Sequence, residues 1–162
     1  MYQSNDYVKL TKGYLKNLVF NEQALRNINA DIETLNYELN SISLPGVKYS
    51  DEPRGGSPEL SSVEQQAYVR DLKREELGRL EVSKAKLETH LRKMNASISQ
   101  LGSEEQTMLD MFYKQKLSAS SIGLEIGLCE RSVHRRIHVA VRDLAAMLFG
   151  EVATEDISFV RS

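Results

Sequence analysis

Residues 118–141 read SASSIGLEIGLCERSVHRRIHVAV. This stretch predicts a short helix, a tight Gly127-Leu128-Cys129 turn and a second helix. The second helix carries Arg131, Arg135, Arg136 and Arg142, with no acid between the first and the last of them. A helix held at a steep angle to its predecessor can enter the major groove of DNA and offer side chains to base edges. Ile122 and Ile126, one turn apart, are expected to face inward. Gly123 supplies a small residue where the helices cross, and Gly127 permits the positive φ of a tight turn. Leu128 and Val133 fill the space beneath the turn, and Ile137, Val141 and Leu144 continue the buried stripe. Removing those positions leaves Glu130, Arg131, Ser132, His134 and Arg135 outward near the start of the second helix, where groove-facing residues belong. Arginine can bond guanine bidentately, and glutamate can accept from cytosine N4. Glu130, Arg131, His134 and Arg135 are therefore the candidate base contacts. Lys114, Lys116, Ser120, Ser132, Arg136 and His138 are the candidate phosphate contacts. A three-helix bundle with a solvated arginine face is the plainer alternative. The gathering of arginines on the one helix that geometry sends to DNA favours the DNA reading.

Upstream, Leu25, Ile28, Ile32, Leu35, Leu39 and Ile42 alternate at spacings of three and four, with Tyr14 and Leu18 before them and Asn21 as a polar break. Such spacing collects the apolar groups on one narrow stripe and favours coiled-coil packing. Pro45-Gly46 is expected to end this helix. Residues 46–62, GVKYSDEPRGGSPELSS, hold two prolines and three glycines and read as the one clear linker. Ser57-Pro58-Glu59 or Ser61 and Ser62 can cap the next helix. A second ladder follows in Leu77, Leu80, Leu87, Leu91, Met94, Ile98 and Leu101, with Lys84 at one stripe position. A helix from Glu59 to Gln100 would run roughly 60 Å. Two long heptad helices joined by a short loop fold back most simply as an antiparallel hairpin. The stripe residues Leu25, Ile28, Ile32, Leu35, Leu39, Ile42, Leu77, Leu80, Leu87, Leu91, Met94 and Ile98 are the candidate hairpin or oligomer interface. Ser103 with Gln106 resembles a capping box for the helix that follows.

The expected domains are thus 1–101, a coiled-coil hairpin with its linker at 46–62; 102–150, the helix-turn-helix; and 151–162, a tail. Alternation around Ile157, Phe159 and Val160 in the tail could dock it, but a frayed end is the simpler expectation. The fold class is all-α: tryptophan is absent and aromatics make up only 7%, which disfavours a β-sandwich. Hydrophobic residues at 41% supply a core and argue against wholesale disorder. The net charge of −2 announces no general affinity for nucleic acid. The arginine window alone carries four positive charges, so the rest of the chain is acidic by six. A local basic face on an acidic protein suits a specific DNA site better than bulk coating. Cys129 is the only cysteine, which excludes an internal disulfide and points to a reducing cytoplasm. The start MYQSNDYVKL lacks the order of a secretion signal, and no apolar run approaches membrane-spanning length.

Other chemistries find less support. His134 and His138 stand four apart, but no Glu or Cys joins them at metal spacing. Cys129 with His134 lacks an orienting acid for thiol catalysis. Gly55-Gly56 has neither a following Lys-Ser nor a preceding strand, so a phosphate loop is not expected. Glu75-Glu76 and Glu104-Glu105 read as helix-surface acids. Tyr7, Tyr14, Phe20 and Tyr37, at helical positions, suit core or interface better than base stacking. No cofactor, metal or enzymatic activity is expected.

Leu101, then LDMFY at 109–113, then Ser118 to Ala140 resemble region four of bacterial sigma factors over about 45 residues. Val133-His134-Arg135-Arg136-Ile137-His138 with Ala140 is close to the sigma-like order of valine, arginine, leucine, histidine and alanine. Cys129 departs from it, standing where that family has a capping Ser or Thr. A heptad-rich first half, a loop like YSDEPRGGS and a sigma-like end together resemble the RinA/ArpU/LtrC-type late regulators of phages and prophages. The resemblance implies an activator of packaging and lysis genes acting through host RNA polymerase. The expectation is therefore a sequence-specific binder of double-stranded DNA in the bacterial cytoplasm. It would self-associate through its hairpin, a dimer being favoured, or present the hairpin to polymerase. A small terminase-like packaging subunit is a second class, although there the DNA-binding part normally precedes the oligomerising part. A coiled-coil interaction module with an acidic partner is a third.

Overall fold

The structure, a computed structural model, describes residues 3–42, 62–150 and 153. The described residues are helical, with no strand among them. Helix α1 spans Gln3–Ser41 and α2 spans Ser62–Ile98. These two long helices form a hairpin, and a small helical bundle follows. Neither contains proline, and each holds a single glycine, Gly13 and Gly78. α1 stops at Ser41, and α2 ends at Ile98 rather than at Gln100; the start expected at Glu59 lies outside the described residues. Pro45-Gly46, the cap candidates at 57–61 and all of the linker but its last residue lie outside the described residues, as does the tail except Ala153. Ala153 is buried, and its N–H donates to the Gly150 carbonyl at 3.0 Å.

The chain divides into two compact units, residues 24–87 and residues 1–23 with 88–162. This division cuts across the boundary expected at 101/102. The reason lies in the ends of the hairpin. The start of α1 and the last turns of α2 carry apolar side chains that belong to the bundle's core.

In that discontinuous unit, α3 spans Ser103–Leu109 and continues into a π-helical turn at Asp110–Lys114. Helix α4 spans Ala119–Ile126, and α5 spans Glu130–Phe149. Leu15 and Leu18 of α1 and Leu91 and Met94 of α2 are buried with Met108, Leu109, Ile122, Val133, Ile137, Val141 and Leu144. Tyr7 packs on Phe149 with ring centroids 4.9 Å apart, and Tyr14 meets His90 edge-on at 4.4 Å. Burying each such leucine or isoleucine contributes about 1.5–3 kcal/mol. The capping box is displaced by one residue. Gly102, extended, precedes the helix, and its N–H donates to Glu105 Oε2 at 3.0 Å. Gln106 turns outward from that role and donates from Nε2 to the Leu101 carbonyl at 2.8 Å.

The described residues of the unit at 24–87 belong almost wholly to α1 and α2. Leu35, at 9% exposure, is the one buried side chain among its described residues. Leu25, Ile28, Ile32 and Leu39 of α1, with Leu77 and Leu80 of α2, line one stripe and remain half-exposed. Lys73 Nζ pairs with Glu38 Oε2 at 2.5 Å, joining the two helices. Tyr37 is 76% exposed and Phe20, in the other unit, 70% exposed, so of the core-or-interface expectation neither meets the core half.

Candidate nucleic-acid interface

The angle between α4 and α5 is set by main chain. Ser118 caps α4, its hydroxyl accepting from the Ser121 N–H at 3.1 Å. Gly127 ends α4 at φ 73°, a conformation that strains any residue with a Cβ. Leu128 N–H then donates to the Gly123 carbonyl at 2.8 Å. A Cβ on Gly123 would lie closer than 3.0 Å to the Leu128 carbonyl oxygen. The small residue expected at a helix crossing is thus needed for the turn itself to fold back. Ile122 is fully buried, but Ile126 is 36% exposed and does not face inward as its spacing predicted. The reason is that α4 ends there. Ile126 comes to line a shallow hollow with Leu128, Thr107 and Arg136 instead.

Helix α5 begins at Cys129, whose carbonyl accepts from the Ser132 and Val133 N–H groups at 2.9 and 3.1 Å. Cys129 Sγ makes no capping bond to the main chain but meets Ser132 Oγ at 3.1 Å. The Ser132 hydroxyl holds the exposed thiol below its usual range by stabilising the thiolate. Ser132, expected on phosphate, is therefore already partnered within the first turn. On the inner side of α5, Val133, Ile137, Ala140, Val141, Leu144 and Ala145 are buried.

On the outer side, spacings of four, three and four put Arg131, Arg135, His138 and Arg142 in one row. The row spans about 16 Å along the axis at 1.5 Å per residue. Arg131, Arg135 and His138 are exposed and Arg142 is partly so. No ion pair engages these four among the described residues. Arg142 is absent from the contact candidates read from sequence, yet its spacing from Arg131 already carried the signal.

The other candidates are arranged differently. Glu130 and His134 engage each other at 3.7 Å, and the His134 ring lies edge-on to Phe112 at 6.3 Å between centroids. Arg136 stands roughly 100° around the helix from Arg135. It is taken by Glu104 of α3 at 2.7 Å. The window that holds no acid in sequence therefore meets an acid in space, contributed from 32 residues upstream. Local sequence could not reveal this pairing. Lys114 pairs with Asp110 at 3.6 Å in the π-helical turn. Lys116 follows at φ 59°, the only described non-glycine residue with positive φ. Two wide-turn bonds hold it there, Gln115 N–H to the Asp110 carbonyl and Leu117 N–H to the Met111 carbonyl, each 3.0 Å. Ser120 is exposed in the first turn of α4.

Elsewhere in this unit, burial raises the Tyr113 phenol above its usual range. No group of three or more His, Cys, Asp or Glu side chains suited to a metal occurs among the described residues. No described helix is long and apolar enough to cross a membrane. Comparison with known protein families, curated proteins and solved structures found no match.

Proposed function

We propose that this chain is a sequence-specific double-stranded DNA-binding transcription regulator that inserts α5 in the major groove. The observation that carries the reading is the row Arg131, Arg135, His138 and Arg142, open on one side of a helix whose other side is core. A short preceding helix and a rigid turn are what a groove-reading helix needs, since they hold it proud of the domain surface. Arg131 and Arg135, near the start of α5, read bases, and Arg135 is the strongest candidate for a bidentate guanine contact. Glu130 and His134 act as a coupled pair, so replacing either alters the other. His138 and Arg142, farther along, meet phosphates with Lys114, Lys116 and Ser120. Arg136 and Ser132, engaged by Glu104 and Cys129, position the helix more than they contact DNA.

The test is selection from random duplexes at two salt concentrations, which should enrich one motif and retain it as salt rises. Recovery of no motif would refute sequence-specific recognition. Loss of all affinity with salt would leave only counterion release, the sequence-independent component.

The sigma-like order of residues supports the finer reading, an activator of phage late packaging and lysis genes acting with host RNA polymerase in the bacterial cytoplasm. Transcription in vitro from a promoter bearing the selected motif, with bacterial polymerase, should rise on adding the protein. An unchanged or lowered transcript yield would remove the activator role and leave the DNA-binding role standing.

A further inference from the structure

The described residues of the hairpin unit at 24–87 hold little interior. The single buried side chain among them is Leu35, while Leu25, Ile28, Ile32, Leu39, Leu77 and Leu80 stay half-exposed along one stripe. A two-helix ribbon covers only one flank of each stripe, and the uncovered flank needs another apolar surface. The stripe's continuation toward the bundle is already spent. Leu18, Leu91 and Met94 are buried within the other unit, which limits any interface to 24–87.

We infer that a second copy of this chain covers the stripe, with two hairpins related by a two-fold axis and each α1 beside the partner's α2. Two features select a like copy. From Leu25 to Leu39 and from Leu77 to Leu87 the stripe is Leu and Ile apart from Lys84, without the Tyr or Trp anchors that concentrate energy at heterologous interfaces, and aliphatic stripes are self-complementary. The flanking charges also match across such an axis. Residues 24–42 carry Arg26 against Asp31, Glu33 and Glu38, whereas residues 62–87 hold six Lys and Arg against five Asp and Glu. Rotation by a half turn brings residues 24–42 of one copy, net −2, to residues 62–87 of the other, net +1, as Glu38 and Lys73 already meet within one copy. The segment 43–61 is a poor cover by composition. Its apolar residues are Leu44, Val47, Tyr49 and Leu60 among nineteen otherwise rich in charge, Ser, Gly and Pro.

Where the DNA-binding reading holds, two copies bring two α5 helices, and the preferred target is an inverted repeat. That clause rests on the proposed function; the dimer itself does not.

Sedimentation equilibrium of the full-length chain over a hundredfold dilution tests it. The expected mass at high concentration is twice the 18.4 kDa of one chain, falling toward one chain on dilution. Far-ultraviolet helicity should fall with it as the hairpin loses its cover. Ile32→Asp combined with Leu80→Asp should abolish the dimer, while the bundle retains its thermal transition. Ser83→Ala, on the exposed side of α2, is the control and should leave the mass unchanged. A monomer at every concentration overturns the proposal, whether the stripe is then covered by residues 43–61 or by another protein. A dimer that survives both aspartates overturns it as well. A dimer with no selected DNA motif keeps this proposal and sinks the DNA reading; a motif bound by a monomer does the reverse.

Discussion

The bundle and the hairpin unit begin from similar material, helices with a leucine-rich stripe, and finish with different interiors. In the bundle, α3, α4 and α5 close over the ends of α1 and α2, and Met94, Val133, Val141 and Leu144 are at 0% exposure. Among the described residues of the hairpin unit nothing closes over the stripe, and only Leu35 falls as low as 9%. The lesson is that heptad spacing specifies a face without specifying what covers it. Stability in the bundle is intramolecular, whereas stability in the hairpin is tied to concentration if a second copy supplies the cover.

The largest expected effect breaks this contrast from the bundle side. Leu144→Ala should cost about 2–5 kcal/mol in urea unfolding, because a fully buried leucine leaves a cavity. Ile28→Ala, half-exposed in the hairpin, should cost less than half of that and should depend on protein concentration. Equal costs for the two would erase the distinction. Next, Gly123→Ala should cost about 1–3 kcal/mol by forcing a Cβ against the Leu128 carbonyl. Gly78→Ala, in the hairpin with open space around it, should instead stabilise its helix by about 0.5–1 kcal/mol. Thermal melts of both variants check the opposite signs.

Arg135→Ala should leave folding unchanged and weaken binding to the selected duplex by about 1–3 kcal/mol, with relaxed preference at one base position. Equal weakening on every duplex would remove its base-reading role. Lys116→Gly separates backbone from charge. It should hold or raise stability by up to about 1 kcal/mol, since glycine accepts φ 59° without strain. It should also shallow the salt dependence of DNA binding by roughly one unit of slope. The smallest effect belongs to Cys129. Alkylation of the native chain should reach its half-maximal rate at a lower pH than for a free thiol, and Ser132→Ala should move it back up. The sign follows because the hydroxyl favours the thiolate, so more of it exists at any pH below the ordinary thiol range. An unchanged profile would show that the contact carries no charge stabilisation.

Much of this was legible from residues alone. The helices, the hairpin and the αL turn at Gly127 follow from spacing and from glycine's conformational freedom. The inner side of α5 follows from its period. What escaped depended on distant partners. Glu104 finds Arg136 from another helix, and the capping role passes from Ser103 to Gly102 because Glu105 reaches back to its N–H. Ile126, in the last turn of α4, lines an open hollow with Thr107, Leu128 and Arg136 and so stays 36% exposed. The boundary at 101/102 followed the end of the second ladder, whereas Tyr7, Tyr14, Leu15 and Leu18 fall in one compact unit with residues 88–162.

That last arrangement has a temporal consequence. A ribosome makes residues 1–23 first, but their aromatic partner Phe149 emerges only after α2, α3 and α4. The hairpin unit at 24–87 is fully synthesised before the bundle can close. If the hairpins pair and α5 reads DNA as proposed, nascent chains on one message meet while the last helices are still unfinished, and the order of synthesis then places assembly ahead of DNA recognition.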